Sequence, residues 1–198
     1  MFAWAFHNGQ FSFTQAAGKC KAAGYEWAVL ELDDETTGAY NRAHWPDFKA
    51  AFQGLDMKAG TWVTEGGNMG MTPPDADLAI AECEGPGDYT GILTAEAAGS
   101  VPKVPKAICT NFNVPLTTPA GAPDRAAAKP LIDAGYFCLT EAYMGDNPAA
   151  TPDNLNLMAQ KLGWPRSQPV FGVYNAPPST YAPWAAWPGA DYLGEYVL

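Results

Sequence analysis

Positive charge is scarce in this chain. Its 198 residues carry 11 Lys and Arg against 21 Asp and Glu, a formal net charge of −10. A protein that grips phosphate backbones or an anionic bilayer needs the opposite balance, so no nucleic acid and no membrane insertion are expected. Charged residues of both signs reach only 16%, while apolar residues make up 47%, enough to bury a core and unlike a disordered chain. Histidine is rarer still. His7 and His44 are too few for a site built from several imidazole ligands, and no metal or other cofactor is expected. Cys20, Cys83, Cys109 and Cys138 lie far apart, with no CxxC pair, which argues against a zinc ribbon and a disulfide framework and for buried, unpaired thiols. None of the four serines stands in a GxSxG turn. No apolar run approaches the ~20 residues that span a bilayer. The opening MFAWAFHNGQF lacks the basic stretch and small-residue cleavage site of a signal peptide.

What the chain does have is alternation. Short apolar runs read as strands at 2–7, 26–33, 57–65, 89–94, 106–112, 136–143, 168–174 and 190–197. Between them lie helical segments with start and stop signals. Ser12 and Gln15 form a capping box, Phe13, Ala16, Ala17, Cys20 and Ala23 make one apolar side, and Gly24 stops the helix. Further helices are expected at 46–53, from Thr72 to about Cys83, at 124–134 with an interruption at Pro130, at 152–162 ending on Gly163, and near 181–187. The placement of strand 4 has a rival at Leu78 to Glu84.

Parallel strands need crossovers, and helices supply them. Strands 2, 3 and 7 are apolar throughout, as in a sheet covered on both faces. No GxGxxG or P-loop follows strand 1, which disfavours an open nucleotide-binding sheet. The expected fold is α/β, a compact (β/α)8 barrel occupying residues 1–198 as one domain, with lean loops and one helix, the fourth, missing. Strand 8 should then pair with strand 1, setting Tyr192–Tyr196 beside Phe2–Phe6.

In such a barrel functional residues sit where strands end. The strand ends gather carboxylates at Asp33, Glu65, Glu141 and Glu195, and His7, Asn111, Tyr143 and Tyr174 beside them. Trp62 lies within strand 3. Paired carboxyls with aromatic faces are what glycoside cleavage requires, one carboxyl donating a proton to the leaving oxygen and the other attacking or activating water. Glu141 is the candidate acid, since it closes the apolar run Tyr136–Leu139, and an apolar strand end favours the protonated form. Glu65 and Asp33 are its candidate partners. The bland reading of each stands alongside: a strand-end carboxylate can simply bind loop amides, and Trp62 can simply be core.

The ordered set WAVLELDDE, GTWVTEGG, ECEGPGDYTGI, KAICTNF, YFCLTEAY, LGWPRSQPVFGVY and DYLGEY resembles glycoside-hydrolase-like TIM-barrel proteins of actinobacterial (mycobacterial) phages, where they are minor tail proteins. The resemblance covers nearly the whole chain. It implies a virion component at the tail tip, assembled in the host cytoplasm. Its implied partners are other tail proteins and cell-envelope carbohydrate, which it contacts and, with Asp33, Glu65, Glu141 and Glu195 as its acids, cleaves. Lysozyme-like barrels carry a DxE where strand 4 ends, whereas the assigned strand here ends Leu93-Thr94-Ala95-Glu96. A glycoside hydrolase acting free of any virion, and a purely structural tail subunit with a vestigial pocket, are the alternatives.

Overall fold

The computed structural model describes residues 2–5, 12–22, 24–83, 86–111, 124–141, 152–165, 167–170 and 194–197. They form an α/β structure with an all-parallel sheet. Its strands are β1 (Phe2–Ala5), β2 (Trp27–Glu31), β3 (Lys58–Val63), β4 (Ala79–Glu82), β5 (Lys106–Asn111), β6 (Tyr136–Glu141), β7 (Ser167–Val170) and β8 (Gly194–Val197). Each strand pairs with the next, and β8 returns to β1 with Phe2 opposite Gly194 and Ala5 opposite Val197. The expected pairing of the first and last strands is therefore present.

Six α-helices accompany the strands: α1 (Phe13–Ala22), α2 (Gly38–Ala43), α3 (Trp45–Gln53), α4 (Pro86–Ala97), α5 (Arg125–Asp133) and α6 (Pro152–Leu162). The capping box is formed as read. Ser12 N–H donates to Gln15 Oε1 at 3.0 Å, and Gln15 N–H to Ser12 Oγ at 3.2 Å. Gly24 and Gly163 take positive φ, +85° and +109°, the left-handed geometry that ends a helix without a Cβ penalty. Helix α5 runs through Pro130. That residue is exposed, so the backbone carbonyl it leaves without an intrahelical donor can turn to solvent. The segment read as a helix near 181–187 lies outside the described residues.

Two corrections concern the third and fourth units. Thr72 opens no helix. Residues Gly66–Met71 form a 3-10 turn, and two acids of the segment that follows bind other elements. Asp75 accepts from Trp45 Nε1 at 2.9 Å and Asp77 from Ala59 N–H at 2.9 Å, tying this loop to α3 and β3. Among the described residues the third crossover carries no α-helix, whereas the fourth carries α4. The segment YTGILT is not a strand but the middle of α4, and Ala79–Glu82, the rival placement, is β4.

Strand residues alternate between two cores, as a pleated sheet covered on both sides must. Trp27, Val29, Trp62, Ile80, Cys109 and Leu139 form an inner cluster. Ala28, Leu30, Val63, Ala81 and Ile108 join Ala17, Phe48, Phe52, Ile92 and Leu131 from the helices in an outer one. None of the four cysteines forms a disulfide, and all are buried.

The short third crossover is held by backbone approach. A Cβ on Gly91 of α4 would lie 2.6 Å from the amide nitrogen of Gly67, whereas one on Gly87 meets nothing within 4 Å. Gly91→Ala is expected to cost about 1–3 kcal/mol, the usual penalty of overpacking against atoms that cannot yield. Gly87→Ala in the same helix should stabilise by about 0.5–1 kcal/mol. Melting curves of the two variants check the pair, and equal effects would show that α4 does not rest on the turn.

Candidate active site

The C-terminal end of β2 is fixed by its own crossover. Asn41 of α2 donates through Nδ2 to the Glu31 carbonyl at 2.7 Å, and the Arg42 guanidinium donates to the Leu32 carbonyl. Gly38 permits this approach, since a Cβ there would stand 2.6 Å from the Leu32 carbonyl oxygen. Beyond the strand, Asp34 accepts from the N–H groups of Thr36 and Thr37 and from the Thr37 hydroxyl. The Thr37 amide and hydroxyl hold its carboxyl below the usual aspartate range.

Asp33 is engaged on both oxygens. Oδ1 accepts from Thr64 N–H at 2.8 Å and Thr64 Oγ1 at 3.2 Å. Oδ2 accepts from Glu65 N–H at 2.9 Å and Asn68 Nδ2 at 3.0 Å. It ties the end of β2 to the loop after β3, and Asn68 Nδ2 also reaches Glu65 Oε2 at 3.3 Å. Asp33 and Glu65 are thus brought together, with Glu65 exposed and Asp33 half-buried. Four accepted bonds make Asp33 a positioning residue rather than an attacking group. Asp33→Ala should cost about 2 kcal/mol, in line with losing charge-assisted bonds to partly exposed donors, and a denaturant titration reads it.

Trp62 offers no face to a sugar. It is fully buried in the inner cluster, and its Nε1 donates to Glu82 Oε2 at 3.3 Å. Packing has claimed it because β3 is covered on both sides. Glu195 is the second residue of β8, opposite Ala3. It therefore stands inside its strand, not at the strand's end. Asn111 and Glu141 are register partners and the last residues of β5 and β6, two positions beyond Cys109 and Leu139 of the inner cluster. His7, Tyr143 and Tyr174 lie outside the described residues.

Two carboxylates escaped the sequence reading. Glu82 ends β4 and was hidden by the misplacement of that strand. With β4 in place, a carboxylate closes this strand. Glu31 ends β2, shares the strand face of Trp27 and Val29, and is only 4% exposed. The period-2 run Trp27, Val29, Glu31 was its signal. Burial, and after it the nearby carboxylates of Asp33 and Asp34, push its acid up to about 7. Among the described residues, no group of three His, Cys, Asp or Glu could hold a metal ion. A groove of about 680 Å³ opens elsewhere, on the helical layer between α1 and α2–α3.

No family model matches the chain, and no curated protein does. Solved structures resemble it at low identity. A truncated 3-deoxy-D-arabino-heptulosonate 7-phosphate synthase from Thermotoga maritima is 13% identical with a TM-score of 0.42, over 86% of this chain and 73% of that one. A D-psicose 3-epimerase in the presence of D-fructose is 10% identical at 0.42, over 87% and 63%. A D-psicose 3-epimerase with D-tagatose from Clostridium cellulolyticum H10 is 11% identical at 0.39, over 86% and 59%. The chain therefore spans less than two thirds of either epimerase.

Proposed function

We propose that the chain is a compact single-domain (β/α)8 barrel of the TIM type. In this reading it is a glycoside-hydrolase-like minor tail protein at a phage tail tip, where it contacts and cleaves host cell-envelope glycan. The observation that carries the chemistry is the row of strand ends. Glu31, Glu82, Asn111 and Glu141 close β2, β4, β5 and β6, each two residues beyond an inner-cluster residue. Carboxyls distributed around one end of a parallel ring supply both an acid and a base to a ligand bound across it. An acid, Glu82, does close β4. The barrel reading is supported by the pairing of β8 with β1, and the virion reading by the resemblance of the strand-end motifs.

In this reading Glu141 is the proton donor, and Glu82 or the exposed Glu65 is its partner. The purified chain incubated with mycobacterial-type cell wall should release reducing ends. Antibody raised against it should decorate the tail tip of a virion that carries it. Failure of the first with success of the second leaves the purely structural tail subunit, a reading that the commitment of Asp33 and Trp62 to internal contacts favours. Success of the first alone leaves a free-acting hydrolase.

A further inference from the structure

We propose that the Glu31 carboxyl forms the floor of a sugar subsite, where it enters the complex protonated and donates a hydrogen bond to an uncharged sugar oxygen. This rests on the glycan reading above and adds the group that reads the ligand. Glu31 is the last residue of β2, on the face shared with Trp27 and Val29. The inner-cluster residues precede it along the strand, so its position is at the strand-end side of the ring. Its register partner is the fully buried Trp62. It is 4% exposed, and Oε2 finds no hydrogen-bond partner among the described residues. A buried carboxyl oxygen without a partner destabilises the free protein, and a sugar hydroxyl or bridging oxygen would remove that cost. The backbone that carries it is held in place, since Asn41 and Arg42 of α2 donate to the main-chain carbonyls of Glu31 and Leu32.

The surrounding charge decides which ligand suits it. Asp33 and Asp34 follow it on the chain, Glu65 lies past the end of β3, and Glu82 ends β4. The cations on the flanking elements are Arg42 of α2, bound to the Leu32 carbonyl, and Lys58 at the far end of β3, which lies over the Trp27 ring. After burial, the carboxylates of Asp33 and Asp34 favour the neutral form of Glu31, and acids so placed repel an anionic ligand. A neutral carboxyl is a donor, and a neutral, hydroxyl-rich ligand matches it.

The test is sedimentation of the protein with mycobacterial cell-wall fragments between pH 6 and pH 8.5. If only the protonated form binds, wild-type affinity should fall more than tenfold across that range as Glu31 loses its proton. Glu31→Gln keeps an N–H donor, so it should bind with a flat profile and equal or exceed the wild type at pH 8.5. Carbon-detected NMR titration of the Glu31 carboxyl in the wild type supplies a readout independent of the variant's folding, with a midpoint expected near 7. Binding that is flat in the wild type, a Glu31→Gln variant that keeps the wild-type slope, or a midpoint below 5 overturns the inference while leaving the glycan reading standing. Absence of binding at every pH overturns that reading and this inference with it.

Discussion

Glu141→Gln is expected to lower turnover on cell-wall glycan by roughly 10²–10⁴-fold, the usual worth of a positioned general acid, while sugar binding survives. Gln keeps the outline of the side chain and removes the transferable proton. Glu141 ends β6 directly opposite Asn111 of β5, with Leu139 fully buried two residues before it. Glu82→Gln should be comparably damaging if Glu82 is the partner, and Glu65→Gln if Glu65 is. The product then reports the spacing: carboxyls about 5 Å apart give retention, and ~6.5–9.5 Å gives inversion. A structural Glu141 predicts a different pattern, an inert parent protein and a variant that melts early. Reducing-end release and a melting curve on each protein separate the two.

Glu31→Gln should stabilise the protein by about 3 kcal/mol at pH 8 and by little at pH 4. The folded acid lies at about 7 against an ordinary value of 4.5, and each unit of difference corresponds to about 1.4 kcal/mol. Folding raises this acid, so between pH 4.5 and 7 the native state holds the proton that the unfolded chain has released. Stability therefore falls as pH rises through that window, and the full penalty stands above 7. The amide does not titrate and carries no such penalty. Asp75 is shifted the other way, but it acts in both proteins and cancels in the difference. Urea titrations of both proteins at pH 4, 6 and 8 give the difference curve. A curve that does not change with pH would mean that Glu31 is charged and solvated in the native state.

The ring was legible wherever local signals agreed. Ser12, Gln15 and Gly24 bracket α1, and the apolar runs before Glu31, Val63 and Glu141 are strands to within a few residues. It was illegible where a segment's composition opposed its environment. Tyr89–Thr94 has the β-branched and aromatic content of a strand, yet its glycine is what lets a helix settle on Gly67. Ala79–Glu82 is four residues long, too short for a period to show. That single exchange hid Glu82. Glu31 was missed for another reason: WAVLELDD was read as a run that ends in Asp33, when the last inward residue of the strand stands two positions earlier. Asp33 was found by its position, but its task is set by donors on Thr64, Glu65 and Asn68, which only the fold brings to it.

The pairing of β8 with β1 also governs how the chain reaches this state. Consecutive strands meet across a few tens of residues, whereas Phe2 and Gly194 come from opposite ends of the described chain. Pairing them first would close a very long loop for four residue pairs, an entropic cost that such a short ladder does not offset. The favourable order builds β1 to β7 through neighbouring crossovers, after which β8 enters between two strands already side by side. Until it does, β1 and β7 each present an unpaired row of amides and carbonyls, the kind of edge that recruits other chains. The slowest step in folding is then also the step that ends the danger of aggregation, and the vulnerable species is a seven-stranded intermediate rather than the unfolded chain.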